Sequence, residues 1–268
     1  DGIRDLVRSR GLGDVYKRQG LIISNIITKL YLTKRNTCSL SEWKELSNTV
    51  ITSNNSEAVK KSDLIIICVQ PNQYKEIGIE IKGFLNEKHT IISTITGLSI
   101  ESIEKSLGVN INRSMPNTAI SVGKSVTCLC SNNFGKSKLL LAEAIFNSLG
   151  RTFIIEEKNM EAATVICASG IAFWMRLIRS TAQGAVQLGF ETKQALEMCI
   201  STALGAITLL NDNNTHPEQE IDKVTTPSGC TIKGLIEMEH HGLSSALISG
   251  LVASFEKINN ISTKNEFI

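Results

Sequence analysis

Six consecutive apolar positions, Leu64-Ile65-Ile66-Ile67-Cys68-Val69, run into Gln70-Pro71. A short run that is apolar on both faces predicts a parallel strand inside a sheet. Similar runs recur at 29–33, 49–52, 89–95, 109–114, 125–130 and 152–155, and helical spacing separates them at 41–46, 55–61, 76–85, 100–107 and 136–149. This alternation predicts an α/β domain with a doubly wound, Rossmann-like, mainly parallel sheet. After residue 156 the pattern changes. Ala162, Val165, Ile166, Ile171, Met175 and Ile178 cover more than one face of a helix reaching Leu188, and further helices are predicted at 192–210, 231–241 and 244–257. Such a helix must be buried. The second half, 156–268, therefore reads as an all-helical domain whose faces need a partner. Its longest uncharged helical run, 162–175, stops at Arg176 and is too short to span a bilayer.

The first residues do not follow the pattern. A dinucleotide-binding sheet opens with a buried strand and a Gly-x-Gly-x-x-Gly turn. Here Gly11-Leu12-Gly13 is followed by Asp14, and the third glycine position holds Tyr16. The expectation is a sheet lacking its first strand and glycine loop, with residues 1–19 an unrelated segment and 20–155 an N-terminally truncated NADP-binding domain. The competing reading is a divergent N-terminal arm. In a doubly wound sheet the strand carboxyl ends face the cofactor. Thr33, Lys34, Arg35 and Asn36 follow the strand at 29–33, where basic residues accept the extra phosphate of NADPH and an acidic residue would read NADH. A solvated basic turn has the same composition.

Charge narrows the partners. With 28 basic and 26 acidic residues intermixed, the net charge is +2, so no nucleic-acid face is expected. The seven cysteines are odd in number and mostly lie in apolar runs, as reduced cytoplasmic thiols do. No metal site or disulfide is expected from their spacing.

Candidate chemistry gathers in Val224-Thr225-Thr226-Pro227-Ser228-Gly229-Cys230-Thr231, ahead of Ile232, Leu235, Ile236 and Met238 at helical spacing. Hydroxyls and free amides at a helix start suit a small carboxylate. An ordinary capped turn between helices has the same letters. Together with Met115-Pro116-Asn117-Thr118-Ala119 and Cys68-Val69-Gln70-Pro71, this run resembles the pyrroline-5-carboxylate reductases, from about Gly20 to about Lys257.

The resemblance implies hydride transfer from NADPH, with NADH possible as donor, to the C=N bond of 1-pyrroline-5-carboxylate, giving proline in the cytoplasm. It implies cofactor contacts at Thr33, Lys34, Arg35, Asn36, Asn55, Cys68, Val69, Gln70, Pro71, Thr96 and Asn117. It also implies substrate contacts at Val224, Ser228, Gly229, Cys230 and Thr231, Thr231 being the catalytic candidate, and a homodimer or larger homo-oligomer built from the helical domain. The family usually has Lys where this chain has Gln70, and Pro and Tyr where it has Ile171 and Phe173. One alternative is a folded, dimerising chain that binds no dinucleotide. Another is a hydroxyacid dehydrogenase of similar plan, which needs a Lys after Gly170, where Ile171-Ala172-Phe173-Trp174 has none.

Overall fold

The computed structural model describes residues 3–9, 27–43, 48–109, 111–132 and 136–265. The chain divides into two compact units, Asp1–Ser169 with Ser254–Ile268, and Gly170–Ala253.

The first unit is built on a sheet with strand order β3-β2-β1-β4-β5-β6-β7-β8. The strands are β1 (Ile3–Ser9), β2 (Ile27–Thr33), β3 (Thr49–Thr52), β4 (Leu64–Cys68), β5 (Thr90–Ser93), β6 (Ile111–Met115), β7 (Ser125–Ser131) and β8 (Gly150–Ile154). Every described pairing is parallel except β6 with β7. The order turns around between β1 and β4, as in doubly wound folds.

This corrects the expectation of a missing first strand. Ile3–Ser9 lies between β2 and β4, pairing Leu6 with Tyr31 on one side and with Ile65 on the other. The gap that a missing first strand would leave between β2 and β4 is filled. The expectation about a glycine turn falls on 10–26, outside the described residues.

Alternation explains why β4 is apolar throughout. Ile65 and Ile67 face a core with Tyr31, Ile91, Ile111 and helix residues Val59, Ile77, Ile81 and Ile103, while Leu64, Ile66 and Cys68 face Leu30, Leu32, Ile92, Leu129, Ile145 and Phe146. Both faces are thus covered, and a polar residue in the middle of β4 would have no solvent side to turn to.

The helices of this unit are α1 (Asn55–Lys60), α2 (Pro71–Lys82), α3 (Ile100–Leu107) and α4 (Lys136–Asn147). Asn54 caps α1, its side chain accepting from the Glu57 amide at 2.9 Å. α2 starts at Pro71, five residues ahead of the expected position, because proline at the first helical position gives up no hydrogen bond. The stretch expected as a helix at 41–46 is a 3-10 turn over Thr37–Trp43, with 44–47 outside the described residues. Gly150 is required where β8 meets β7: at φ 150° a Cβ there would lie 2.0 Å from the Ser125 carbonyl oxygen.

The second unit holds α5 (Gly170–Gln187), α6 (Thr192–Asn213), α7 (Pro217–Val224), α8 (Cys230–His240) and the first part of α9 (Leu243–Asn265). His216 caps α7 in a reciprocal box with Gln219, as its position before Pro217 suggests. Large apolar side chains stay exposed on these helices, among them Trp174, Met175, Leu204, Ile207, Ile248 and Val252. A π-helical segment, Thr164–Ser169, joins α5 to one α-helical turn at Met160–Ala163. The stretch Glu157–Gln187 is consequently long and apolar enough to cross a membrane by length and composition, which corrects the reading that its apolar run is too short.

Candidate active site

The residues expected to hold a cofactor gather at the carboxyl edge of the sheet. Thr33 ends β2 and is buried, with its Oγ1 lacking any hydrogen-bond partner. Lys34, Arg35 and Asn36 follow, with Arg35 in an ion pair with Glu76 of α2. Asn36 turns its Oδ1 to the Cys38 amide at 3.0 Å. Asn55, at the start of α1, is buried and donates its Nδ2 to Glu80 Oε2 at 2.6 Å, leaving Oδ1 without a partner.

Leaving a buried polar atom unpaired costs about 1–3 kcal/mol. Two such atoms, Thr33 Oγ1 and Asn55 Oδ1, at the edge where a doubly wound sheet receives a nucleotide fit an adenosine ribose that brings hydroxyl groups. The residues present therefore suit a dinucleotide on this side, with two cations, Lys34 and Arg35, directly following the orphaned Thr33.

Farther along the edge, Cys68 closes β4 in the core, and Val69, Gln70 and Pro71 turn into α2. Gln70 precedes α2 without a capping side-chain bond, so it is exposed and brings no charge. Thr96 follows β5 beside Gly97, whose φ is 73° and where a Cβ would meet Ser262 at 3.1 Å.

Asn117, expected among the cofactor contacts, has both polar atoms of its side chain engaged in the fold. Its Oδ1 accepts from the Ala119 amide at 3.0 Å, and its Nδ2 donates to the Cys167 carbonyl at 2.9 Å. Cys167 in turn lies 3.8 Å from Cys128 Sγ. The Cys128 thiol donates to Cys167, holding Cys167 down to about 7 and pushing Cys128 up.

The substrate candidates lie in the second unit, between α7 and α8. Val224 is the last residue of α7 and is 62% exposed. The Gly229 amide donates to the Thr226 carbonyl at 2.9 Å, closing a turn with Pro227 in its second position and Ser228 at φ 56° in its third. That is the type II pattern, in which glycine is usual at the third position. A serine held there is strained by about 1–3 kcal/mol, the kind of cost found at binding sites.

The first bond within α8 runs from the Lys233 amide to the Gly229 carbonyl at 3.4 Å. The amides of Cys230, Thr231 and Ile232 precede it, so helix geometry gives them no acceptor within α8. Gly229 is thereby corrected from a carboxylate donor to a steric requirement: its amide is used by the turn, and a Cβ would lie 2.4 Å from Thr226 Oγ1. Thr231 is exposed in the first turn of the helix. Amides and a hydroxyl at a positive helix end can hold a carboxylate and reach an atom beside it.

Sequence reading passed over Glu76 and Glu80, which contact two of the expected cofactor residues. Their i, i+4 spacing on α2 resembles any solvated helix face. It also passed over Arg113, buried in β6 and paired with Glu157 at 2.9 Å and Glu161 at 3.4 Å beside a cavity of about 290 Å³. Among the described residues no group of three or more His, Cys, Asp or Glu could hold a metal ion.

Residues 157–261 match a family described as pyrroline-5-carboxylate reductase dimerisation, and residues 18–97 match one described as NADP oxidoreductase, coenzyme F420-dependent. Pyrroline-5-carboxylate reductase 1 of Dictyostelium discoideum is 43% identical over 264 residues, covering 92% of this chain and 48% of the relative, so the chain spans about half its length. Pyrroline-5-carboxylate reductase 2 of the same organism is 38% identical over 246 residues, covering 85% of this chain and 82% of the relative. Among solved structures, a Plasmodium falciparum pyrroline carboxylate reductase with NADP bound superposes with a TM-score of 0.88 at 25% identity, covering 97% of this chain and 98% of the other. A pyrroline-5-carboxylate reductase from Coxiella burnetii gives 0.88 at 27% identity, with coverage of 98% and 99%. The dimerisation match accounts for the exposed apolar helices, including Glu157–Gln187, and implies a homodimer.

Proposed function

This chain belongs to the pyrroline-5-carboxylate reductase family, and from that premise we propose that it reduces 1-pyrroline-5-carboxylate to proline with NADPH, NADH serving less well. The observation that carries the reading is the turn at Thr226–Gly229 opening α8, which leaves amides and the Thr231 hydroxyl together in an exposed first helical turn.

When bound, the reduced nicotinamide supplies a hydride to the imine carbon. The protein's contribution is position and polarity. The amides of Ser228, Cys230 and Thr231 hold the substrate carboxylate, aided by the partial positive charge of the helix start. Val224 offers its exposed side chain to the ring. The Thr231 hydroxyl hydrogen-bonds the ring nitrogen and relays the one proton that the amine product requires. An alcohol is a weak acid, so holding the nitrogen in place is its larger part. In the first unit Thr33 and Asn55 take the ribose, and Arg35 with Lys34 takes the 2′-phosphate, which favours NADPH.

The test is proline formation by the purified full chain, followed together with NADPH oxidation at 340 nm. Stoichiometric proline, with kcat/KM higher for NADPH than for NADH, is the expected result. A folded dimer that binds neither cofactor and makes no proline would favour the alternative of a dimerising protein without dinucleotide.

Gly229→Ala is expected to raise KM for the imine about tenfold, because the new methyl pushes Thr226 away and opens the turn. Steady-state kinetics on the variant, and on the same variant carrying Thr226→Ala, provide the check. Removing Oγ1 relieves the closer contact, so the double variant regains part of the loss, and an unchanged KM in Gly229→Ala would show that the turn is not the carboxylate site.

A further inference from the structure

α2 carries two carboxylates one turn apart, and each grips a different residue of the ribose end of the cofactor site. Glu80 Oε2 accepts from Asn55 Nδ2 at 2.6 Å, and Glu76 pairs with Arg35. The Asn55 contact fixes more than a distance. A carboxylate can only accept, so the amide atom facing it must be the NH2 group. Asn55 Oδ1 is then committed to the opposite side, where it is buried without a partner. A reversed amide would put two acceptors together, so Asn55 is held as an acceptor awaiting a donor. Arg35 is different: its pair with Glu76 is exposed, the two side chains being 48% and 64% accessible.

We propose that Glu80 and Glu76 preset the ribose end of the cofactor site in opposite senses, Glu80 fixing Asn55 as a hydrogen-bond acceptor for a ribose hydroxyl and Glu76 competing with the 2′-phosphate for Arg35. The inference rests on the cofactor reading above and adds two positioning residues to it. Glu80 supports every adenosine ligand. Glu76 lowers affinity only for those bearing a 2′-phosphate, and so narrows the margin by which NADPH exceeds NADH.

Titration calorimetry of the full chain with 5′-AMP and 2′,5′-ADP separates these roles, because the two probes differ only in the 2′-phosphate. Glu80→Gln keeps the shape but lets the amides pair in either sense, so affinity for both probes is expected to fall about fivefold. Glu80→Asp keeps the charge and withdraws it from Asn55, and gives a similar loss. In an Asn55→Ala background Glu80→Gln has no further effect. Glu76→Gln tightens 2′,5′-ADP about threefold, a size suited to an exposed pair, and leaves 5′-AMP unchanged.

Thermal melting of each ligand-free variant keeps folding losses apart from binding losses. A Glu80→Gln effect that persists without Asn55, or a Glu76→Gln effect equal for both probes, overturns the proposal. A wild-type chain that binds neither probe overturns the cofactor reading as well, whereas binding without these differences defeats this inference alone.

Discussion

Arg113→Met is expected to lower the unfolding free energy by about 3 kcal/mol, the low end of the range for breaking a buried ion pair. The guanidinium is 4% exposed in the middle of the sheet unit. Its Nη1 donates to Glu157 Oε1 at 2.9 Å and its Nη2 to Glu161 Oε1 at 3.4 Å, and the same Glu157 oxygen takes the Ile100 amide at 2.7 Å. Methionine fills much of the volume but leaves two carboxylates without the cation they share, 34% and 18% exposed. Partial exposure lets water recover some of the loss, which keeps the effect at the low end of the range. Urea denaturation measures it. Replacing Glu157 and Glu161 with Gln in the same protein should restore much of the stability, because the set then carries no unpaired charge. A loss under 1 kcal/mol in the single variant would show that the cluster is solvated in solution.

Thr231→Ala is expected to lower kcat about tenfold to a hundredfold, at or below the low end of the usual range for a positioned acid or base group, because holding the nitrogen is its larger part. Thr231 is exposed in the first turn of α8, and alanine favours helix at least as well, so the melting temperature should hold. Affinity for NADPH should also hold, because Thr33, Asn55 and Arg35 are untouched. Thr231→Ser keeps the hydroxyl and should recover most of the rate. The measurement is single-turnover hydride transfer in all three proteins. Wild-type rates in Thr231→Ala would remove this residue from the mechanism, and equal losses in the Ala and Ser variants would assign the effect to the methyl group's packing.

Much of the sheet unit was legible because burial on both faces leaves a plain mark. β4 and β5 carry unbroken apolar or small residues where two helical layers cover them, and the helix positions follow from the spacing between. The first strand was not legible. Ile3-Arg4-Asp5-Leu6-Val7-Arg8-Ser9 has neither the β-branched run nor the continuous apolarity of a central strand, yet it is paired along both edges, with β2 and β4. Backbone hydrogen bonds to two neighbours do not depend on side-chain type, which is why propensity is a weak guide to such a segment. The site motifs could be found as letters, but their partners could not. Glu80 meets Asn55 from 25 residues away, and Cys167 meets Asn117 from 50. Contacts of that separation are created by packing one element on another, and no local spacing records them.

The sequence by itself determined the alternation of strand and helix, the change to helices after residue 156, the basic residues behind the second strand, and the loop from Val224 to Thr231. Periodicity and local turn chemistry act over a few residues, so they are written in the order of the chain. Only the tertiary structure decided that Ile3–Ser9 closes the sheet, that Asn117 is tied to Cys167, that Gly229 serves the turn by its missing side chain, and that Asn55 presents an oxygen instead of an amide hydrogen. Each of these depends on which group of fixed polarity or volume lies opposite, and that is settled only when distant segments pack together.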